Sequence, residues 1–454
     1  MSLSKRLIGV LGALTGMIGL MLAVPHFVRA QTPPASEELQ RRYDAAFQEM
    51  LRKPADLDVL FKFAALASQT GDLEGAISAL ERMLLINGDL PRVRLELGVL
   101  YLRLNSFEVA RTYFEEALKS PNLPPDVRTK AQEYLNQAQA RTKKSRLSGE
   151  LFLGWRYQSN ANLGPATSSV QLFGQAANLN QSSLGQSDWG AVTSAQFRHT
   201  YDFGHQDNAA LESQLTLYAN RQFNVSAANV SLIDLTTGPR FQIFNGKYED
   251  VTVKPFVTAG YIWINDAPYY GSVGGGVETN ILLADGLRSI SSALWRRHDN
   301  EDNWYLPTNS LFRGTEYTAN TALHYDLTSI ILVTATGSAQ RYESDLTPAQ
   351  SYQLWSVGGS FAFRFDDPVL KTGLQWSIAL SVTEQWWHYD QPDALVDPTI
   401  QRYQTDTIAN ITFLVPFDDR TTFTLSGGRF VRNATVSNYA FENNSVMFGV
   451  SWRF

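Results

Sequence analysis

At 454 residues the chain has room for two or three domains, and with 18% charged and 12% aromatic residues it is not a disordered polymer. A net charge of −6 argues against a general nucleic-acid binder. The absence of cysteine excludes disulfides, thiolate metal sites and a cysteine-borne lipid anchor.

The first thirty residues read as a signal peptide. Lys5 and Arg6 supply a positive start, Leu7 to Ala23 is almost wholly apolar, and Val28-Arg29-Ala30 ends on a small residue that suits cleavage. A retained membrane anchor is the alternative. Either way the protein is expected to leave the cytoplasm.

After a Pro-containing lead-in at Gln31 to Ala35, helical patterning runs from about Ser36 to Ser145, and within it the chain repeats. Gly71-Asp72-Leu73-Glu74-Gly75-Ala76 aligns with Asn105-Ser106-Phe107-Glu108-Val109-Ala110, and Phe63, Ala64, Ala67, Leu80 and Met83 align with Leu97, Gly98, Tyr101, Phe114 and Ala117, all at an offset of 34 residues. This periodicity resembles the tetratricopeptide repeat, an α-solenoid unit in which small residues let two helices approach and bulky ones fill the seam. Two repeats, at 57–90 and 91–124, are expected between a preceding helix and a capping helix from Pro125 to about Lys144. Such solenoids offer a concave face to a partner. Repeat geometry puts Asp58, Phe61, Ala65, Gln69, Arg92, Leu95, Val99 and Arg103 on that face, where they either bind a client protein or chaperone or are simply solvated.

The texture changes after Ser145. All ten tryptophans lie beyond it, and the remaining sequence divides into fourteen alternating runs separated by polar turns. The final run shows the pattern most clearly: Val446, Phe448, Val450, Trp452 and Phe454 alternate with Met447, Gly449, Ser451 and Arg453. Alternation of this kind in an even number of long strands predicts a 14-stranded antiparallel transmembrane β-barrel at 146–454, preceded by a repeat domain at 31–145 and the signal peptide at 1–30. The fold class is therefore α + β multidomain. The long connections at 161–187, 222–229, 299–312 and 390–399 fall on one side, and tight turns at Gly204-His205-Gln206-Asp207, Asn245-Gly246 and Asp418-Asp419 fall on the other. In an outer-membrane barrel this parity puts the repeats and the C-terminus in the periplasm. The first strand is expected to pair with the last, with Ser145 and Phe454 on one rim. Phe448, Val450, Trp452 and the terminal Phe454 also resemble the assembly signal that the barrel assembly machinery reads.

The opposite parity assigns Glu150, Arg156, Arg198, Glu212, Arg240, Glu316 and Arg364 to the lumen, with Gln196, Gln214, Asn320 and Ser360 among them. Both signs of charge imply a polar interior without strong ion selectivity, or charges that pair and stiffen the barrel. No HExxH, GxSxG or phosphate-cradling loop occurs, the histidines lack ligand spacing, and Gly274-Gly275-Gly276 falls inside a strand. No enzyme, metal or other cofactor is implied.

Two families share this layout. The stretch Gly154-Trp155-Arg156-Tyr157-Gln158-Ser159-Asn160-Ala161-Asn162 is similar to the tyrosine, polar, Ser-Asn-x-Asn end of the first barrel strand in the surface lipoprotein assembly modulators, the Slam family, with Gln158 replacing the usual acid. Tyr157, Ser159, Asn160 and Asn162 carry that likeness; the asparagines also suit a turn at the external rim. The resemblance implies a monomeric barrel in outer-membrane lipid that delivers a client lipoprotein to the cell surface. Tetratricopeptide porins that export polysaccharide are the other family, with a conduit for polymer or small solutes as the implied function.

Overall fold

The computed structural model describes residues 37–121, 123–204, 209–243 and 251–454. The expected signal peptide and the turn residues His205, Gln206, Asp207, Asn245 and Gly246 lie outside the described residues.

The helical unit contains α1 (Glu37–Arg52), α2 (Leu57–Thr70), α3 (Leu73–Ile86), α4 (Pro91–Arg103), α5 (Phe107–Leu118) and α6 (Pro125–Thr142). Local chemistry sets the boundaries. The Asp56 carboxylate accepts from the backbone N–H of Asp58 and Val59 at the start of α2, and that of Asp72 accepts from Gly75 N–H at the start of α3. Gly71 closes α2 at φ 93°, and Pro91 opens α4, where a missing N–H costs nothing. The repeat positions then meet in space. Leu60, Phe63, Ala67, Ala76, Leu80 and Leu97 form one core across α1–α4, while Phe114, Ala117, Ala131 and Leu135 form a second across α4–α6. The small position Gly98 is required: a Cβ there would lie 2.5 Å from the Phe114 ring. Tyr43 on α1 donates to Asp72 at 2.7 Å, tying the first helix to the repeat that follows; this bond pushes the phenol up to about 12.

The second unit starts with β1 (Ser145–Gln158). A short hairpin follows, β2 (Ser169–Leu172) and β3 (Gln175–Asn178), and then β4 (Asp188–Asp202), β5 (Ala210–Gln222), β6 (Val230–Gln242), β7 (Thr252–Ile264), β8 (Ala267–Ala284), β9 (Leu287–Asn300), β10 (Gly314–Thr328), β11 (Ile331–Ser344), β12 (Tyr352–Asp366), β13 (Gln375–Tyr389), β14 (Tyr403–Pro416), β15 (Thr421–Ala434) and β16 (Phe441–Arg453). Leaving aside the β2–β3 hairpin, fourteen strands form one closed antiparallel barrel. The expected fold class stands.

Closure joins the ends of the sequence. β16 pairs with β1 from Glu150↔Arg453 to Gln158↔Ser445, and Gly149 and Phe454 exchange backbone hydrogen bonds of 3.0 and 3.1 Å. Ser145 and Phe454 therefore share one rim, called inner below; the opposite rim is called outer. Because the ladder is closed, no strand edge is left bare, so the alternating side chains can face lipid on one side and the lumen on the other.

One detail differs from the sequence reading, and one outer connection is notably tight. The connection at 161–187 is not bare loop but contains the β2–β3 hairpin. The connection between β7 and β8 on the outer rim is only Asn265-Asp266, both at positive φ, so long connections do not occupy every position on that side. Both residues are short and polar and tolerate the left-handed conformation that a two-residue hairpin turn demands.

Candidate functional site

Strand alternation gives the wall two chemistries. Leu153 and Trp155 face outward and are 55% and 50% exposed, although they are among the most hydrophobic side chains of β1. Trp189, Trp295, Trp355 and Trp386 share the outward face near the outer rim, and Trp376, Trp452 and Phe454 do so near the inner rim. Apolar side chains between two aromatic girdles are the outer surface of a barrel built for a bilayer. Phe448, Val450, Trp452 and Phe454 all belong to this surface, and the Phe454 ring rests beside Trp452 and Phe197 at 5.1 and 6.0 Å.

The inward face is polar, and its charges pair along one side of the wall. Arg453 meets Glu150 at 2.9 Å, and Arg240 meets Glu212 at 2.7 Å. Lys254 bridges Glu212 and Glu278, Arg296 meets Asp234 at 3.0 Å, and Arg198 donates to Gln214 at 3.4 Å. Arg156, inward on β1, is buried near the outer rim beside Tyr218; Arg364 is inward on β12 near the inner rim. From β11 to β15 the inward positions are mostly small: Thr334, Thr336 and Ser338; Ser356, Gly358 and Ser360; Ser377, Ser381 and Thr383; Ser426 and Thr424. These side chains are partly exposed, Asn320 and Thr336 more so than the rest, which marks free space in the inner part of the lumen.

Near the outer rim the lumen is filled. The Asp406 and Arg432 side chains are 0% and 1% exposed and form an ion pair, with Arg432 Nε to Asp406 Oδ1 at 2.6 Å. Trp387 donates its indole N–H to Asp406 at 3.0 Å, and the Arg432 guanidinium lies over the Trp387, Phe430 and Phe441 rings. From Trp387 a run of contacting rings crosses the wall through Tyr352, Tyr342 and His298 to Tyr270, with centroids 4.5–5.6 Å apart. His298 also lies 3.2 Å from Glu316. Of this layer the sequence reading picked out only Glu316 and Arg156. Trp386-Trp387 carries the missed signal: a tryptophan doublet in an alternating strand must send one indole inward.

Loops cover this layer. Asn309 and Leu306, in the 301–313 connection, pack against Tyr269 and Tyr270. The β2–β3 hairpin is stitched to two other connections: Gln171 exchanges hydrogen bonds with Asn438, and Phe173 and Gly174 donate to the carbonyls of Leu395 and Val396. The Tyr-x-Ser-Asn-x-Asn stretch anchors it. Tyr157 faces outward against Trp189. Ser159 Oγ accepts from Asn444 N–H, Asn160 donates to the carbonyls of Gly164 and Glu442, and Asn162 bonds to Leu184 and Gln186. At the inner rim Asp285-Gly286 and Ser329-Ile330 are two-residue turns, whereas the connection at 367–374 between β12 and β13 is an eight-residue loop in which Asp367 accepts from the N–H groups of Val369, Leu370 and Thr372.

In the helical unit, Asp58, Ala65, Gln69, Arg92 and Arg103 are exposed, and Phe61 and Val99 are half-buried. Arg92 sits 5.2 Å over the Phe61 ring, and Arg103 donates to Ser68 across the repeat boundary. Leu95 does not join them. It is buried with Ala110 and Phe114, because the α4–α5 seam claims it.

The tetratricopeptide repeat family model matches residues 91–121. No curated protein matches the chain. Similar solved structures include the outer membrane channel DcaP of Acinetobacter baumannii, at 10% identity over 68% of this chain and 97% of that one with a TM-score of 0.39. An anion-selective porin from Comamonas acidovorans gives 9% identity, 68% and 99% coverage and 0.35. The Yersinia enterocolitica type III secretion chaperone SycD, in complex with a peptide of the translocator YopD, gives 14% identity, 24% and 98% coverage and 0.20. These scores are too low to add to what the register shows. The chain thus carries a tetratricopeptide repeat at 91–121 in its helical unit and, after it, a closed fourteen-strand antiparallel barrel with an apolar outward face.

Proposed function

We propose that this protein is an outer-membrane translocation factor. Its helical repeats, in the periplasm, receive a client or its chaperone, and its barrel is the conduit through which a surface lipoprotein or other secreted protein passes outward. One observation carries this reading. The lumen is roomy where the chain enters the barrel and closed at the far end by a buried ionic and aromatic layer under stitched loops. A passive pore works best when permanently open; a conduit that stays shut until loaded protects the cell from leakage. Phe61 and Arg92, brought together from successive repeats, supply an apolar and cationic contact of the kind a peptide segment uses.

The hydroxyl-rich wall from β11 to β15 favours a second reading, a conduit for a neutral polyhydroxylated polymer. The two separate experimentally. A candidate client lipoprotein, sought first among the neighbouring genes, is co-expressed with and without this protein, and surface exposure is read by protease shaving of whole cells. Exposure that depends on this protein, with low steady conductance in planar bilayers, is expected. A client equally exposed in its absence sinks the translocation reading, and steady conductance blocked by oligosaccharide supports the second.

A further inference from the structure

The outward wall is not uniformly bulky. Across β9, β10 and β11 one register row reads Ala293↔Ala319↔Ala339, closed at one end by Val277 and at the other by Trp355. The next row toward the outer rim reads Trp295↔Tyr317↔Arg341↔Gln353, and the next toward the middle reads Ser291↔Thr321↔Gly337. Trp295, Tyr317 and Trp355 stand proud of the alanines and enclose a concavity of about 810 Å³ on the lipid-facing surface. The floor continues, still small, toward mid-bilayer. At its outer edge, in the gap between Tyr317 and Trp355, stand the Arg341 guanidinium and the Gln353 amide. Two hydrogen bonds of 2.7 and 2.6 Å to Asp390 and one of 3.4 Å to Glu343 hold Arg341 in place.

We propose that this trough is a binding site for an outer-leaflet membrane lipid, one acyl chain lying over the alanines and the oxygen-bearing head group against Arg341 and Gln353. The polarity of the trough matches an amphiphile standing in the outer leaflet, with Arg341 and Gln353 at the interface, the alanine row below them, and then Ser291 and Thr321, whose hydroxyls bond to each other at 2.8 Å. Its shape selects the occupant. A polymethylene chain is narrow enough to reach a floor one residue wide. A second barrel presents a convex wall that would rest on Trp295, Tyr317 and Trp355 and leave the alanines uncovered. The inference rests on the proposed reading of the barrel as membrane-embedded with its outer rim at the cell surface.

The wild-type protein, in vesicles of phospholipid carrying a photoreactive diazirine acyl chain, tests this. Crosslinked peptides are expected to be enriched several-fold at 291–295, 317–321 and 337–341 over outward segments such as 211–217. Ala319→Phe and Ala339→Phe, each shown folded by heat-dependent gel migration, are expected to abolish the enrichment while leaving labelling elsewhere unchanged. Even labelling around the wall overturns the proposal. So does a wild-type dimer in native mass spectrometry that Ala319→Phe converts to monomer, because the trough then holds a second copy. Absence of labelling everywhere would instead overturn the membrane reading.

Discussion

The two ends of the barrel lumen solve the same packing problem in opposite ways. Near the inner rim, charges pair between neighbouring strands along one side, and Ser, Thr and Gly leave the other side thin. Near the outer rim the inward positions are Tyr, Trp, His, Arg and Asp, buried and in contact around the wall. The backbone is the same closed ladder throughout, so side-chain volume and burial, not strand geometry, decide where the conduit is open. Burial also changes what a charge is worth. Arg453–Glu150 is partly solvated, and removing either partner leaves an ion that water can reach. Asp406–Arg432 has no such escape.

The largest effect should come from that pair. Asp406→Ala leaves a buried guanidinium uncompensated and is expected to destabilise the barrel by about 3–5 kcal/mol, read as a fall in the midpoint of heat-dependent gel migration. Replacing both partners by leucine should cost less than Asp406→Ala alone, since no charge is then stranded. If the single and double variants lose the same stability, the outer layer is held by packing, not by its ion pair. Glu150→Ala at the inner rim is the control, with an expected cost of at most about 1 kcal/mol.

The loop cap comes next. Asn160 accepts from Gly164 N–H and donates to the carbonyls of Gly164 and Glu442, so Asn160→Ala strands several buried backbone groups at once. A cost of about 1–3 kcal/mol is expected. The readout is faster proteolysis of the 159–187 connection on intact cells, with the barrel itself still folded. Unchanged protease resistance would mean that the contacts of the hairpin with Leu395, Val396 and Asn438 hold the cap without the asparagine.

How far this contrast was readable beforehand depends on what fixes each feature. Alternation and turn residues fixed the fourteen strands, because a lipid-facing wall tolerates few exceptions and each run is long. The 34-residue offset located the repeats, and Gly98 against Phe114 shows why the small position cannot be enlarged. Leu95 was misjudged because repeat geometry gives a helix face only to within a residue or so, and burial in the α4–α5 seam settles the rest. The closing layer was largely invisible. Tyr270, His298, Tyr342, Tyr352 and Trp387 come from five strands, and nothing local says that inward residues at the ends of distant strands share one level. The β2–β3 hairpin was missed for the same reason: its four-residue strands are stabilised by other loops rather than by their own alternation.

A smaller effect is expected from acid on the cap. Asp397, in the connection between β13 and β14, accepts from the Thr399 hydroxyl and N–H, and these bonds hold its carboxyl below the usual carboxylate range. The folded form thus binds its proton less readily than the unfolded form. The stabilisation is complete above the ordinary carboxylate pKa and fades as pH falls through the depressed one. Protease nicking of the 390–402 connection should rise at the acid end of that window in the wild type. Asp397→Asn should show the raised nicking at neutral pH and little further change with acid. A parallel acid response in the variant would assign the effect to other carboxylates.

The smallest effect on stability should accompany the clearest effect on passage. Ser381 faces inward on β13 between Ser360 and Asn410, in the thin part of the wall where inward side chains are partly exposed. Ser381→Phe adds a ring to open space rather than to a packed core. Its expected effect on the unfolding midpoint corresponds to no more than about 0.5 kcal/mol. The same ring narrows the lumen beneath the closing layer, so client exposure by protease shaving should fall sharply while barrel abundance stays constant. Asp406→Ala should do the reverse, destabilising the barrel and raising leak conductance through the outer end. If Ser381→Phe instead destabilises like a core substitution, the inner lumen is packed, and the division between an open inner part and a closed outer part fails at its open end.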